Sequence, residues 1–271
     1  MRSCNPIFAA CCVITFVAAV GACKSSEATA SGPSGDVSTA GPVETCEAIE
    51  GAAPVALTTS DGLTLEADFY PSGTEGGPGV VLLHMIPPSN DKSNFPPEFI
   101  ASLHAAGLTV LNVNRRGAGN SEGDPKDAYE GDKGRLDASA AHDFLTSSAC
   151  HVPANAIGFV GASNGTTTTL DFTVAAEAGD RPAAIVFLSP GSYTENQNKV
   201  SDHAHLLNMI PIFIGYPDSE SEWPESIRPL GGGGWILQQY DGGKHGTGLF
   251  TTHPDSITTV TNFLRASITG A

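Results

Sequence analysis

The sequence predicts an α/β protein with a mostly parallel central sheet that is covered by helices on both faces. Short apolar strands alternate with amphipathic helices along most of the chain, which is the pattern of a parallel sheet. Residues 80–83 are continuously apolar, as expected of a strand buried on both faces. An Asp61-Gly62 turn between two alternating segments adds an antiparallel hairpin at the start of the domain.

The elements of this domain follow in chain order. The hairpin pairs residues 55–59 with residues 63–70. Further strands are predicted over residues 80–83, 108–113, 157–160, 184–188, 210–214 and 235–239, and helices over residues 96–106, 133–148, 165–178 and 255–266. Only residues 190–209 separate two strands where a lid could be inserted. This segment is too short for a separate lid domain, so we expect a fairly open site.

Charge and composition exclude several classes of protein. The chain has 13 Lys and Arg against 29 Asp and Glu, a formal net charge of −16. Such an acidic surface repels phosphate backbones, so we expect no nucleic-acid partner. Hydrophobic residues make up 40% of the chain and charged residues 15%, which excludes wholesale disorder. We expect a monomer.

The N-terminal segment has the pattern of an export signal. Arg2 precedes an almost wholly apolar run over residues 7–20, which is shorter than a typical membrane span. The run ends in Val-Gly-Ala-Cys at residues 20–23, which resembles the lipobox of bacterial lipoproteins. That resemblance implies cleavage before Cys23 and a lipid on its sulfur. The alternatives are an ordinary signal peptide cut at a nearby small residue and a membrane-retained helix.

These observations divide the chain into three parts. Residues 1–22 are the expected signal peptide, residues 23–45 the lipid-attachment cysteine and a flexible tether, and residues 46–271 the folded domain. The tether is rich in Ser, Thr, Ala, Gly and Pro and has too few aliphatic residues to bury a core. The lipoprotein resemblance implies an exported protein anchored in a bacterial cell envelope. The lipoproteins that this segment resembles are often sorted to the outer membrane when no Asp follows the cysteine, and Lys24 at that position therefore implies the outer membrane rather than the inner one.

Two cysteines remain outside the signal and the lipidation site. They are Cys46 and Cys150, and an even pair in an exported chain predicts a disulfide. The alternative is two unrelated thiols.

Residues 161–165 form a G-x-S-x-G motif centred on Ser163. A predicted strand precedes the motif and a predicted helix follows it, which is the setting of a nucleophile on a sharp strand-to-helix turn. The helix N-terminus then favours the negative charge of an attacked carbonyl. The alternative is a Gly-Ser loop without chemistry.

A serine nucleophile needs a base and an acid that orients the base. His245 lies in a glycine-flanked loop after a predicted strand, so we predict it as the base. Asp218 directly follows its own predicted strand, and we predict it as the acid. Asp241 is the alternative acid, but it lies in the same loop as His245, whereas the acid should approach the far imidazole nitrogen from a separate loop.

Several segments together resemble the α/β-hydrolase family, and most closely its small lidless branch of dienelactone hydrolases and exported esterases. Residues 81–84, Val-Leu-Leu-His, resemble the strand that ends in His-Gly, and residues 114–121, Asn-Arg-Arg-Gly-Ala-Gly-Asn-Ser, resemble the D-x-R-G-x-G-x-S turn. The order Ser163, Asp218, His245 is the family's order of nucleophile, acid and base.

The resemblance also implies an oxyanion hole. Its donors would be the backbone N–H groups of Met85 and Asn164. Met85 stands where the family usually has glycine, which narrows the entrance but leaves the N–H in place. Asn114 replaces a common Asp, and Thr166 replaces a frequent second glycine.

We therefore expect a serine hydrolase that cleaves small carboxylic esters through an acyl-enzyme. The alternatives are an aminopeptidase- or thioesterase-like acyl hydrolase, and a catalytically silent binding lipoprotein of the same fold. Nothing in the sequence suggests a cofactor. His203 and His205 form an H-x-H pair, but no acid or cysteine stands at ligand spacing, so we predict no metal site.

Overall fold

An eight-stranded sheet forms the centre of the computed structural model, which describes residues 43–194 and 197–270. The predicted signal peptide, Cys23 and the tether up to residue 42 lie outside the described residues. The strands are β1 Ala53–Thr58, β2 Thr64–Tyr70, β3 Gly79–Leu83, β4 Thr109–Val113, β5 Ile157–Ala162, β6 Ala184–Leu188, β7 Ile212–Pro217 and β8 Trp235–Tyr240.

The strands lie in the order β1-β2-β4-β3-β5-β6-β7-β8. β1 and β2 form the predicted antiparallel hairpin, and β2 also runs antiparallel to β4. All pairs from β4 to β8 are parallel. The carboxyl ends of β3, β5, β6, β7 and β8 therefore meet at one edge of the sheet, where loops bring functional side chains together.

Helices cover both faces of the sheet, as the sequence predicts. They are α1 Pro97–Ala105, α2 Gly134–Ser147, α3 Asn164–Ala175, α4 Ala204–Leu207, α5 Glu222–Ile227, α6 Gly248–Thr252 and α7 Asp255–Thr269. α1 and α7 contact each other and the sheet, and α2 and α3 form a second pair of contacting helices. Among the described helices, none is both long enough and apolar enough to cross a bilayer.

The apolar core is divided between the two faces of the sheet by the alternation of each strand. In β3, Val80 and Leu82 pack into the cluster that contains residues of α1 and α7. Val81 and Leu83 point the other way, into the cluster that contains residues of α2. All four side chains are fully buried, which explains why this strand has no polar position.

The predicted elements are present, and most of their ends lie within one to three residues of the predicted ones. Helix α3 ends at Ala175 instead of residue 178, and residues 177–180 form a turn in which the Asp180 N–H donates to the Glu177 carbonyl. Strand β7 begins at Ile212 and continues to Pro217, because its last residues still pair with β8. The short helices α4, α5 and α6 have too few residues for an apolar period and were not predicted.

The predicted disulfide is present between Cys46 and Cys150. Their Cα atoms lie 4.6 Å apart, within the range that a disulfide bridges. The bond joins the segment before β1 to the segment between α2 and β5, and Cys150 is fully buried. The alternative of two unrelated thiols is wrong.

Candidate active site

Ser163 lies on the sharp turn between β5 and α3 that the motif predicts. Its backbone has φ 51° and ψ −123°, a strained conformation for a residue with a side chain. Two hydrogen bonds hold this conformation: the Ser163 N–H donates to the Leu188 carbonyl at 2.8 Å, and the Thr166 N–H donates to the Ser163 carbonyl at 2.9 Å. The turn presents the Ser163 hydroxyl at the N-terminus of α3.

Gly161 and Gly165 are required because strand and helix approach closely at this turn. A Cβ atom on Gly161 would lie 2.4 Å from the Gly165 carbonyl oxygen. A Cβ atom on Gly165 would lie 2.3 Å from the carbonyl oxygen of Leu83 and 2.7 Å from that of His84. Since real Cβ atoms do not approach carbonyl oxygens this closely, any side chain here would force the backbone apart.

His245 lies between Ser163 and a carboxylate. Its Nε2 atom is 2.7 Å from the Ser163 Oγ atom, and its Nδ1 atom is 2.7 Å from Oε1 of Glu220. Ser163 is buried, whereas the His245 side chain is 42% exposed and the Glu220 side chain 32%. The hydrogen-bonded chain Ser163–His245–Glu220 is therefore reached from solvent.

The acid of this chain is Glu220, and the sequence-based prediction of Asp218 is wrong. Asp218 Oδ1 instead accepts the Gly242 N–H at 2.9 Å. Asp241, the alternative acid, accepts a side-chain N–H of Gln239 at 3.3 Å. Neither aspartate is hydrogen-bonded to His245.

Asp218 nevertheless helps to hold the histidine loop. Its carboxylate fixes Gly242 at one end of the loop, while the Ser189 Oγ atom accepts the Gly246 N–H at 2.8 Å on the other side of His245. The loop is thus tied to the segments that follow β7 and β6. These two ties restrict the position of the imidazole relative to Ser163.

The position of the acid follows from where β7 ends. The strand includes Pro217, and residues Asp218–Glu220 then form a single tight turn. Asp218 is still too close to the strand to reach the imidazole, and its side chain meets the neighbouring loop. Glu220 lies two residues further on and has one more methylene. A sequence signal was available, because the family's acid is Asp or Glu and Glu220 occupies the same segment.

Met85 and Asn164, the predicted oxyanion donors, lie on two neighbouring chain segments. Met85 is the second residue after β3, and Asn164 is the first residue of α3. The first N–H groups of a helix have no partner inside the helix, which leaves that of Asn164 available to a ligand. The Met85 sulfur lies against the backbone of Gly246, next to His245. The two oxyanion donors stay a prediction.

His84 is a fully buried, neutral side chain at the same edge of the sheet. Its Nε2 atom accepts the Arg115 N–H at 3.0 Å, so Nδ1 carries the proton and donates to the Met85 carbonyl at 2.7 Å. Burial and, to a smaller extent, the nearby positive charge of Arg115 lower the pKa of His84 to about 3. His84 therefore braces this corner rather than serving as a second base.

We expect His84 to make the protein sensitive to acid. The pKa of His84 is lower in the folded protein than in the unfolded chain. Below pH 6.5 the unfolded chain therefore binds more protons than the folded protein does, and the free energy of unfolding decreases as the pH is lowered. Between pH 7 and pH 4 this group alone should cost about 3 kcal/mol of unfolding free energy. Urea unfolding of the wild type and His84→Gln at pH 7, 5.5 and 4 measures the effect. The two pH curves should converge on acidification, and parallel curves would contradict the assignment.

Tyr193 is a further residue at the site that sequence reasoning missed. Its ring meets the His245 imidazole edge-on, with centroids 6.3 Å apart. Its hydroxyl donates to the Ser189 carbonyl, and burial raises its pKa to about 12, although the ring itself is partly exposed. Tyr193 lies in the segment after β6 with no motif around it, so only the tertiary structure brings it to the histidine.

A small cavity opens beside the first turns of α3. Its volume is about 230 Å³, and its walls are more apolar than polar. Thr166 and Leu170 of α3 line one side, while Phe187 and Trp223 line others. The Trp223 indole N–H donates to the Ser192 hydroxyl at 3.0 Å and so closes one wall. Thr166, three residues after Ser163, lies in its wall, whereas Ser163, His245 and Glu220 do not line it.

The H-x-H pair does not assemble a metal site in the described part of the chain. The His203 Nε2 atom lies 2.9 Å from the Asn198 side-chain oxygen. Across residues 43–194 and 197–270, no three His, Cys, Asp or Glu side chains converge as metal ligands.

Two known sequences are similar to part of this chain. No protein-family model matches the chain. Two curated relatives, uncharacterized proteins from two strains of Mycobacterium tuberculosis, are each 32% identical to it over 152 residues. The matched segment is 56% of this chain, and it spans about half the length of these relatives.

Several solved structures share the fold of this chain. An esterase of Pyrococcus furiosus superposes with a TM-score of 0.64 at 19% identity, covering 80% of this chain and 91% of the esterase. A dienelactone hydrolase of Anabaena variabilis gives 0.57 at 16% identity, covering 81% and 97%. The metagenomic carboxylesterase EstE1 gives 0.60 at 13% identity, covering 82% and 90%. The chain has the α/β-hydrolase fold.

Proposed function

We propose that this protein is a serine hydrolase that cleaves small carboxylic esters. One observation carries the proposal: the hydrogen-bonded chain from Ser163 through His245 to Glu220, with the serine on a strained turn at a helix N-terminus. A nucleophile, a base and an orienting acid in this arrangement are the elements of acyl transfer.

In the proposed reaction, the Ser163 oxygen attacks the ester carbonyl while His245 Nε2 takes the hydroxyl proton. The tetrahedral intermediate collapses, the C–O bond to the alcohol breaks, and the imidazolium returns the proton to the leaving oxygen. Water then attacks the acyl-enzyme while His245 takes its proton. The bond between the acyl carbon and the Ser163 oxygen breaks, the imidazolium returns the proton to Ser163, and the carboxylic acid leaves. Glu220 holds the imidazole with Nε2 free to accept a proton and stabilises the imidazolium.

The N–H groups of Met85 and Asn164 are the proposed donors to the oxyanion. They belong to segments that the glycine at position 165 brings within van der Waals distance of each other. Donors that are already in place need no reorganisation when charge develops on the carbonyl oxygen.

The preference for esters rests on two observations. Structures of similar fold include an esterase, a carboxylesterase and a dienelactone hydrolase. The exposed side chains of His245 and Glu220 indicate an open site, which shields a long lipid chain poorly and so favours a compact substrate. Thioester or amide hydrolysis by the same residues, and a silent binding protein of this fold, are the competing functions.

The test uses nitrophenyl esters of graded acyl length together with a fluorophosphonate probe. The wild type should hydrolyse the short esters fastest and should be labelled by the probe. Ser163→Ala should show neither activity nor labelling, because no other group supplies the nucleophile. Equal labelling of both proteins would overturn the assignment of Ser163. Faster turnover of matched thioesters or anilides would show that the preferred substrate is a thioester or an amide instead of an ester.

We also propose that the protein is exported and anchored by a lipid on Cys23. The lipobox-like sequence at residues 20–23 and a disulfide, which persists in oxidising compartments, support this localisation. In a bacterial host, the full chain should partition with membranes and incorporate labelled palmitate. Cys23→Ala should incorporate no label, and equal incorporation by the wild type and Cys23→Ala would contradict a lipid on this cysteine.

A further inference from the structure

The Arg115 guanidinium lies behind the two segments that carry the proposed oxyanion donors. Its Nη1 atom donates to the carbonyl oxygens of His84 at 3.2 Å and Met85 at 3.4 Å. Its Nη2 atom donates to the side-chain oxygen of Asn164 at 2.9 Å. One side chain thus connects the residues on both sides of the proposed hole.

The charge of Arg115 is buried without a direct counter-ion. Nη2 also donates to the Thr168 hydroxyl and to the Ala128 carbonyl, both at 2.6 Å. Among the described residues, no carboxylate lies within ion-pair distance of Arg115, and its Nε atom has no hydrogen-bond partner. Burial lowers the pKa of Arg115 to about 10, so the group stays cationic at neutral pH.

A buried, unpaired cation is costly to the fold, so its location is informative. If Arg115 served only packing, an apolar side chain of similar volume would stabilise the fold as well or better. The charge is instead directed at the peptide between His84 and Met85 and at the residue that begins α3.

We propose that Arg115 is the positioning residue of the oxyanion hole. The proposal rests on the function proposed above. The guanidinium holds the His84–Met85 peptide and Asn164 at a set separation, and its positive charge favours the anion that forms between them.

Two physical effects follow from the contacts. Donation to the His84 carbonyl polarises the same peptide group whose N–H belongs to Met85, which strengthens that N–H as a donor. The charge also lies where the dielectric is low, so it acts more strongly on a developing oxyanion than it would in water.

Arg116 supplies a matched control. It is the next residue and is also fully buried, but it is paired with carboxylates: its Nε atom is 2.8 Å from Asp137 and its Nη1 atom 2.9 Å from Asp61. None of its hydrogen bonds reaches Met85 or Asn164. Arg115 and Arg116 therefore share burial and charge and differ in the groups they contact.

The experiment compares Arg115→Lys with Arg116→Lys. For each we measure Tm, kcat and KM on a short nitrophenyl ester, and Ki for a trifluoromethyl ketone, whose adduct with serine carries an oxyanion. Arg115→Lys should lower kcat and raise Ki, each by about 10- to 100-fold, while KM changes by less than about threefold. Arg116→Lys should lower Tm at least as much and leave kcat and Ki within about twofold.

Thr168→Val provides a second variant that removes a single guanidinium hydrogen bond. It should lower kcat and raise Ki, each by about two- to tenfold. If Arg115→Lys does not fold, this variant tests the role of the guanidinium in its place. Unchanged kcat and Ki in a folded Arg115 variant would overturn this inference and leave the hydrolase proposal intact. A wild type without turnover or probe labelling would instead overturn the proposed function, and this inference with it.

Discussion

Replacing Glu220 by Gln is expected to lower kcat by up to about 10⁴-fold while the protein stays folded. The amide has the size of the carboxylate, but its NH₂ group can donate to Nδ1 of His245. That donation favours the tautomer in which Nε2 already carries the proton, and Nε2 then cannot accept the proton of Ser163. The lost negative charge also leaves the imidazolium without its partner. Steady-state kinetics with a short nitrophenyl ester, and Tm as the folding control, measure the effect.

The two aspartates near the site are matched controls for Glu220. Asp218→Asn retains an oxygen that can accept the Gly242 N–H, so we expect a loss of kcat below about tenfold. Asp241→Asn alters only a contact with Gln239 and should leave kcat nearly unchanged. A loss of about 10⁴-fold in Asp218→Asn, with an active Glu220→Gln, would show that Asp218 is the acid after all.

Removing the Cys46–Cys150 disulfide is expected to lower the free energy of unfolding by about 4–5 kcal/mol. The two cysteines are 104 residues apart, so the bond restricts a large part of the unfolded chain. In the chain-entropy account, this restriction raises the free energy of the unfolded state and so stabilises the fold. Urea unfolding of the wild type and of the Cys46→Ala/Cys150→Ala double variant measures the difference.

Unfolding of the reduced wild type separates the bond from the packing. Cys150 is fully buried, so alanine there also removes a sulfur atom from the core. The reduced wild type keeps that sulfur and loses only the bond, and it should show most of the same loss. Equal urea midpoints for the oxidised and reduced wild type would contradict a stabilising role.

The residues whose roles depend on local pattern were predictable from the sequence. The G-x-S-x-G motif between a strand and a helix places Ser163 on its turn, because the two glycines allow a close approach that no other residue permits. The glycine-flanked loop after β8 places His245 at the same edge of the sheet. The cysteine count, once the expected signal segment and Cys23 are set aside, leaves one pair to bond.

The carboxylate that meets His245 and the surroundings of the proposed oxyanion hole were decided by the tertiary structure. Whether Asp218 or Glu220 meets His245 depends on where β7 stops pairing with β8 and on the turn that follows, which no local pattern records. Arg115 lies 49 residues before Asn164, and Tyr193 lies in a segment without a motif. The physical reason is that local patterns report the conformation of neighbouring residues. Contacts at the sheet edge instead depend on how far each strand extends and in which direction each loop leaves it.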